Sequence, residues 1–379
     1  MRCGRILGLA ITRGILLAAR KWVETMRDDQ TQQVSEWSAD RPIRVVYCGT
    51  PAFAVPALRA LAADARFDVG LVVTQPDRAA GRGRKLVMPA VKEAGLDLGL
   101  AVYQPERLRT EAARQSLVDA DADVFVVAAY GVIFGNKTLA IPGFGCLNLH
   151  ASILPAYRGA NPIAAAIADR APTTGVTLMK MEAGLDTGPI IGVSKIDIID
   201  GDTTESLTSR LAVASADLAT GMIPKWLTGR IEATPQPVGA TLTRPMTKAD
   251  GWLDWKRPAV ELEAQVRAMW PWPRAWTTLV GSDGQTRTIQ VHRSRAVEIR
   301  DEGRLESGTV IELDGKPVVI AGYGGLELTL VQEAGGRSQD GSIVLASGRI
   351  RVGTLLGQAG TPEERSPLVA PDPEQGGPA

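Results

Sequence analysis

The sequence predicts an α/β domain on a mainly parallel sheet, followed by a smaller β domain. Three observations predict it. Between residues 43 and 150, short β-branched runs alternate with helical stretches, the pattern of strands joined by crossover helices. The run Asp123–Ala129 (DVFVVAA) is apolar throughout, as expected of a strand covered on both faces. Beyond residue 245 the pattern changes to short strand-like runs separated by turns, which suggests a small barrel or open sheet. The chain has 379 residues, and at about 150 residues per domain that length suggests two or three domains.

Residues 1–41 precede the globular pattern. Their apolar run Ile6–Ala19 holds 14 residues and is interrupted by Arg13, short of the roughly 20 apolar residues a spanning helix needs. The segment reads as an N-terminal extension, disordered or targeting, with Met26 as an alternative start. The expected location is the cytoplasm, or a mitochondrion or plastid if the extension is a transit peptide, and no membrane association is expected. From Ile43 the elements follow in order. Ile43–Cys48 has the length and branching of a buried strand, and Thr50-Pro51 suits the N-cap and first position of a helix. Phe53, Val55, Ala57, Leu58 and Leu61 then fit an amphipathic helix. Further strands are predicted at Val69–Thr74, Ala101–Tyr103, Asp123–Ala129 and Cys146–His150, and this first domain is assigned residues 42–231. Residues 232–245 (EATPQPVGATLTRP) carry three prolines and no helical period, so they read as a linker. The second domain, 246–357, is expected to hold a helix at Val260–Met269 and strands at Thr288–His292, Gly308–Leu313, Pro317–Ala321, Leu326–Val331 and Arg349–Val352. The tail 358–379, rich in Pro, Gly and Glu, reads as disordered.

Composition excludes several classes. Lys+Arg and Asp+Glu each number 42, so the chain is no polycation, and 45% hydrophobic with 22% charged residues excludes disorder as its main state. Cys3, Cys48 and Cys146 show no CxxC spacing, which argues against a disulfide scaffold or cysteine-built zinc site and for a reducing compartment. No metal site is visible. Only His150 and His292 are available to any mechanism that needs an imidazole.

The stretch Gly145–Pro162 (GCLNLHASILPAYRGANP) carries the chemistry. Asn148 and His150 are two apart on a predicted strand and so share a face, at the carboxyl end where open α/β sheets place their ligands. An Asn amide can donate to a developing oxyanion, and His can exchange a proton near neutrality. Ser152-Ile153-Leu154-Pro155 leaves the strand as an extended loop, expected to leave main-chain groups free for a ligand. Farther on, Gly184-Leu185-Asp186-Thr187-Gly188 sets one carboxylate between glycines. Each element alone is weak: a strand-end His is more often structural, and an Asp between glycines more often forms a turn.

Together with GTPAFAVPAL, QPDRAAGRGRKL, ADVFVVAAYG, GVTLMKMEAGLDTGPII and RAMWPWPRAWT, this block resembles, in order and spacing, the methionyl-tRNA formyltransferases, from about Ile43 to Leu356. The Asn-x-His pair, SxLP and Leu-Asp-Thr-Gly segments are shared by folate-dependent formyltransferases in general; the loop QPDRAAGRGRKL and the Pro-Trp-Pro segment narrow the resemblance to the tRNA enzymes. Ile153 stands for a commoner leucine, Asn161 for a commoner alanine, and Phe134-Gly135-Asn136 for a usual Leu-Pro-Lys. The resemblance implies a Rossmann-like catalytic domain and an OB-like β-barrel. It also implies transfer of a formyl group from 10-formyltetrahydrofolate to the α-amine of methionyl initiator tRNA. Asn148, His150 and Asp186 would be catalytic, with Asp186 pairing with His150, and Ser152, Ile153, Leu154 and Pro155 would bind folate. A monomer is expected.

The tRNA side rests on residues 74–95. Five basic residues, Arg78, Arg82, Arg84, Lys85 and Lys92, oppose Asp77 and Glu93, a local charge of +3. Such a loop suits a phosphate backbone, and by resemblance Arg82 reads the acceptor stem. The bland reading is a solvated surface loop. Arg244–Val352 carries 15 basic and 14 acidic residues, so composition shows no basic stripe in the second domain. Trp270-Pro271-Trp272-Pro273 reads as an interdomain brace. Four rivals remain. Glycinamide ribonucleotide formyltransferases lack a substantial C-terminal domain, and sugar-nucleotide N-formyltransferases are not expected to keep QPDRAAGRGRKL. An RNA-binding module would not need an intact trio. A dehydrogenase would need a glycine fingerprint where GTPAFA stands.

Overall fold

The computed structural model describes residues 40–80, 85–281, 283–299, 305–362 and 366–373; the extension 1–39, Arg82 and Arg84 lie outside them. In chain order the first ten strands are β1 (Ile43–Gly49), β2 (Phe67–Val73), β3 (Arg78–Ala80), β4 (Lys85–Val87), β5 (Val102–Tyr103), β6 (Val124–Ala128), β7 (Cys146–His150), β8 (Arg158–Gly159), β9 (Thr173–Lys180) and β10 (Ile190–Asp197). Seven form one sheet in the order β10-β9-β7-β6-β1-β2-β5. The pairs from β7 to β5 are parallel, and β9 and β10 extend the sheet antiparallel. The Rossmann-like, mainly parallel sheet expected from the sequence is therefore present.

Burial explains the apolar runs. Every residue of β6 is buried, because one face packs on helices Val55–Ala63 and Thr204–Leu227 and the other on Leu108, Leu117 and Phe134. The long helix begins with Thr203 accepting from the Ser206 N–H while the Ser206 hydroxyl accepts from the Thr203 N–H, a reciprocal cap. Thr50 is not the cap the sequence suggested. Pro51 precedes a short 3₁₀ turn, Ala52–Ala54, and the Thr50 hydroxyl donates instead to the Tyr130 carbonyl at 3.0 Å. That bond ties the loop after β1 to the loop after β6. Strand order reverses between these two strands, the place where α/β sheets open a crevice.

The second half contains β11 (Thr241–Thr243), β12 (Ala275–Val280), β13 (Thr286–Val297), β14 (Val310–Leu313), β15 (Lys316–Ile320), β16 (Gly325–Glu333), β17 (Gln339–Asp340) and β18 (Val369–Pro371). An antiparallel sheet runs β12-β13-β16-β15-β14, with β17 beside β16, and helix Ala259–Ala268 covers it through Leu262 and Val266. This agrees with the barrel-type domain expected. One local expectation fails and one strand went unread. Ala275–Val280 is a strand that the sequence reading passed over, and Arg349–Val352 is not one. Ile350 is buried in the core, but Gly348 and Gly353 flank it with φ of +71° and +80°, which turn the chain.

The two halves are tied directly. The Thr204 hydroxyl donates to the Ala268 carbonyl at 2.7 Å, Arg267 donates to the Asp202 carbonyl at 3.0 Å, and Trp270 Nε1 donates to Glu205 at 3.2 Å. Trp270 thus braces the halves, whereas Trp272 is exposed. The tail departs most from its sequence reading. Residues 366–373 are ordered, with β18 pairing antiparallel with β11, which in turn pairs parallel with β8. Composition hid this because the tail's partners lie more than a hundred residues away.

Candidate active site

β7 ends at His150 and carries Asn148 and His150 on one face, with Asn148 partly exposed and His150 buried. β9 and β10 form a hairpin whose loop folds back to bring Asp186 onto both. Asn148 Nδ2 donates to Asp186 Oδ1 at 3.2 Å, and His150 Nδ1 lies 3.5 Å from Asp186 Oδ2. The Gly159 N–H donates to Asp186 Oδ2 at 2.9 Å, and His150 Nε2 donates to the Tyr157 carbonyl at 2.9 Å. The structure therefore gathers the three predicted catalytic side chains into one cluster. Both ring nitrogens of His150 face acceptors.

The backbone is forced into place around this cluster. Asp186 and Tyr157 have φ of +55° and +58°, a left-handed conformation that side-chain-bearing residues seldom adopt and that costs about 1–3 kcal/mol each. Hydrogen bonds hold both. Gln236 Nε2 donates to the carbonyls of Asp186 and Gly188 at 2.7 and 2.8 Å, and the Tyr157 N–H donates to Thr241 Oγ1 at 2.8 Å. Gly188 is glycine for space: a Cβ there would stand 1.8 Å from the Lys180 carbonyl oxygen. The glycine therefore serves close packing within the chain.

The segment Ser152–Pro155 is less open than expected. The Ser152 carbonyl accepts from Thr177 Oγ1 at 2.7 Å, and the Leu154 N–H donates to the same oxygen at 3.1 Å. The Ile153 and Pro155 carbonyls accept from the N–H groups of Ala156 and Thr241, and the Ser152 hydroxyl donates to the Ala156 carbonyl at 2.6 Å. Several polar groups of the loop are thus used inside the protein, which corrects the expectation of a freely offered main chain. Sequence reading passed over Thr177, Gln236, Tyr157 and Arg158. The Arg158 guanidinium is fully buried, and only a positive residue next to the Gly159 turn signalled it.

The basic loop is a hairpin in which β3 and β4 pair antiparallel, Arg78 opposite Val87 and Ala80 opposite Lys85. Arg82 and Arg84 lie outside the described residues. Arg78 is exposed and donates to Gln75 Oε1 at 2.8 Å. Lys92 pairs with Asp77 at 2.7 Å, and Gln104 donates to Asp77 at 2.8 Å; these two partners hold the Asp77 carboxyl below the usual range. Lys92 is thereby committed to the base of the hairpin. A cleft of about 540 Å³ opens between the two halves beside Arg170, Arg267 and Arg295, away from the Asn148 cluster. Among the described residues, no group of His, Cys, Asp and Glu side chains is placed to hold a metal, and no helix is long and apolar enough to cross a membrane.

The Asn–His–Asp cluster thus sits at the carboxyl end of β7 in this sheet, in a chain whose second half is barrel-type. Residues 43–220 match the family described as Formyl transferase, and residues 245–348 match Formyl transferase, C-terminal domain. A Methionyl-tRNA formyltransferase of Thiobacillus denitrificans is 42% identical over 316 residues, 83% of this chain and 100% of the relative. That of Halorhodospira halophila is 44% identical over 309 residues, 81% of this chain and 97% of the relative. The chain belongs to the methionyl-tRNA formyltransferase family. Among solved structures, WlaRD, a sugar 3N-formyl transferase determined in the presence of dTDP and 5-N-formyl-THF, matches with a TM-score of 0.54 at 15% identity, covering 77% of this chain and 97% of its own. An N-formyltransferase from Helicobacter canadensis, in complex with folinic acid and dTDP-3-aminofucose, matches with a TM-score of 0.54 at 16% identity, covering 76% and 98%. These two share the fold.

Proposed function

We propose that the protein transfers the formyl group of 10-formyltetrahydrofolate to the α-amino group of methionyl initiator tRNA. The observation that carries this reading is the identity of about 42% to methionyl-tRNA formyltransferases across their whole length, with the Asn148–His150–Asp186 cluster assembled. Free α-amines titrate near pH 7.7–8.0, so little proton removal is needed before attack. The amine nitrogen attacks the formyl carbon and the C=O electrons move to oxygen. As the tetrahedral species collapses, the bond from carbon to N10 of the folate breaks. The proton lost from the amine is delivered to N10 through His150 or a water that Asp186 orients.

Asn148 fits the oxyanion role because its amide has two N–H groups and Asp186 takes one, leaving the other for the oxyanion. His150 contributes through Nε2, which exchanges the Tyr157 carbonyl for the oxyanion. Asp186 aligns both donors. The Ser152–Pro155 segment contributes to the pterin site through the face turned away from Thr177. Arg78, Arg82, Arg84 and Lys85 hold the acceptor end of the tRNA. We read the chain as a cytoplasmic monomer, with residues 42–231 as its catalytic domain and 246–357 as its tRNA-binding domain.

The closest rival acceptor is an amino-sugar nucleotide. Purified protein given 10-formyltetrahydrofolate and either methionyl initiator tRNA or a dTDP-amino sugar is expected to formylate the first alone. Formylation of the sugar nucleotide with none of the tRNA would keep the reaction class and overturn the acceptor.

A further inference from the structure

We propose that Arg158, Gln236 and Asp372 form a positioning relay by which the C-terminal strand holds the Asn148–His150–Asp186 cluster in register; this rests on the function proposed above. Arg158 lies between the two residues whose main chains touch the cluster. The Tyr157 carbonyl accepts from His150, and the Gly159 N–H donates to Asp186. The Arg158 side chain is entirely buried. Its Nη1 donates to Asp372 Oδ2 at 2.7 Å, and its Nε and Nη2 donate to Gln236 Oε1 at 3.1 and 2.7 Å. The other end of Gln236 donates to the Asp186 and Gly188 carbonyls. An unbroken path of hydrogen bonds therefore runs from Asp372 through Arg158 and Gln236 to Asp186.

The backbone repeats the same connection. β18 pairs with β11, and β11 pairs with β8, which is Arg158–Gly159 itself. The Asp372 N–H donates to the Ala240 carbonyl at 2.9 Å, and Arg244 donates to the Ser366 carbonyl at 2.9 Å, so the tail is fastened on both sides of β18. A buried guanidinium is tolerated only when it is paired, and among the described residues Asp372 supplies the only carboxylate found on it. The relay ends on the carbonyl of Asp186, and Arg158 lies between the two main-chain contacts, Tyr157 C=O and Gly159 N–H, with the cluster. A strap that merely secured the tail had no need to end there. The strand lies beyond residues 245–348, where the C-terminal family match stops.

The test uses the full-length chain. Asp372→Ala and Asp372→Glu are compared with wild type for kcat, for KM of each substrate, for the pH–rate profile and for thermal melting. Misplacing reacting groups by about an ångström costs on the order of 10²-fold. Asp372→Ala is therefore expected to lower kcat by about 10- to 100-fold, leave both KM values within about threefold and alter the acid limb of the profile, with Asp372→Glu restoring part of kcat. Wild-type kcat and profile in Asp372→Ala, whatever its melting temperature, would overturn the inference. Should Asp372→Ala fail to fold, Gln236→Leu cuts the relay while leaving the Arg158–Asp372 pair. A similar kcat loss in it supports the relay and an unchanged kcat overturns it. A wild-type protein that leaves methionyl-tRNA unformylated defeats the functional reading itself, whereas an active wild type with unaffected variants defeats only the relay.

Discussion

Replacing Asp186 with asparagine preserves volume but turns one oxygen into a donor, and every side-chain partner of Asp186 in the cluster is itself a donor. Asn148 Nδ2 lies 3.2 Å from Oδ1, and the Gly159 N–H lies 2.9 Å from Oδ2. If the new amide group replaces Oδ1, it faces the Asn148 amide, which must turn over and present its own carbonyl to the oxyanion. That removes one oxyanion donor, typically worth about 10²–10³ in rate. If it replaces Oδ2, Gly159 and His150 lose their acceptor. In both orientations the negative charge leaves the ring. At the observed 3.5 Å, with an effective dielectric near 20, the Coulomb attraction to a protonated ring is about 5 kcal/mol before desolvation is subtracted. A charge-assisted contact retains roughly 1.5–3 kcal/mol of such an attraction, a further factor of about 10–100. Asp186→Asn should therefore lower the single-turnover rate by about 10³–10⁵-fold while far-UV circular dichroism and melting stay near wild type. A folded variant within tenfold of the wild-type rate would refute the reasoning.

Other predictions follow from single contacts. Gly159 has φ of +98°, and a Cβ there would lie 2.5 Å from the Thr243 carbonyl oxygen. Gly159→Ala should cost about 1–3 kcal/mol in urea unfolding and lower kcat as β8 shifts, and wild-type values of both would count against the β8–β11 pairing. His292 is buried between Ser338 and Gln290, and burial, followed by the Arg274 charge, pushes it from 6.5 down to about 4. Between those pH values the unfolded chain binds a proton that the folded chain does not. That stability is fully present above pH 6.5 and is lost as pH falls toward 4, by about 3 kcal/mol. His292→Gln should flatten this part of the stability–pH curve, and an unchanged slope would contradict the assignment. Arg82→Ala should weaken tRNA binding and make the dependence of log affinity on log salt shallower by about one, as measured by filter binding; an unaltered slope would remove Arg82 from the phosphate contacts.

The parallel sheet was legible because its strands are buried on both faces and so read as unbroken apolar runs, Val124–Ala128 most plainly. Asn148 and His150 were legible because two residues on one strand share a face wherever the strand lies. The support beneath them was not. Gln236, Thr241 and Thr243 sit in a proline-rich stretch that reads as a linker, yet the two threonines brace the 155–161 loop through β11 and Gln236 holds the Asp186 carbonyl. Asp372 is 214 positions from Arg158, and no periodicity joins residues so far apart. The Ser152–Pro155 loop was misjudged for a related reason, since Thr177, its internal partner, comes from a strand whose antiparallel pairing local pattern did not reveal. Local sequence specified the donors, and long-range pairing specified how they are held.

The roles proposed for Asn148, His150 and Asp186 in formyl transfer to methionyl-tRNA are tested by single-turnover formylation of methionyl initiator tRNA by wild type and by His150→Ala, with both substrates saturating and their dissociation constants measured in parallel. Wild type is expected to form formylmethionyl-tRNA. His150→Ala is expected to lose at least about 10³ in rate while binding folate and tRNA within a few-fold of wild type. A His150→Ala protein that transfers the formyl group within tenfold of the wild-type rate would contradict these roles.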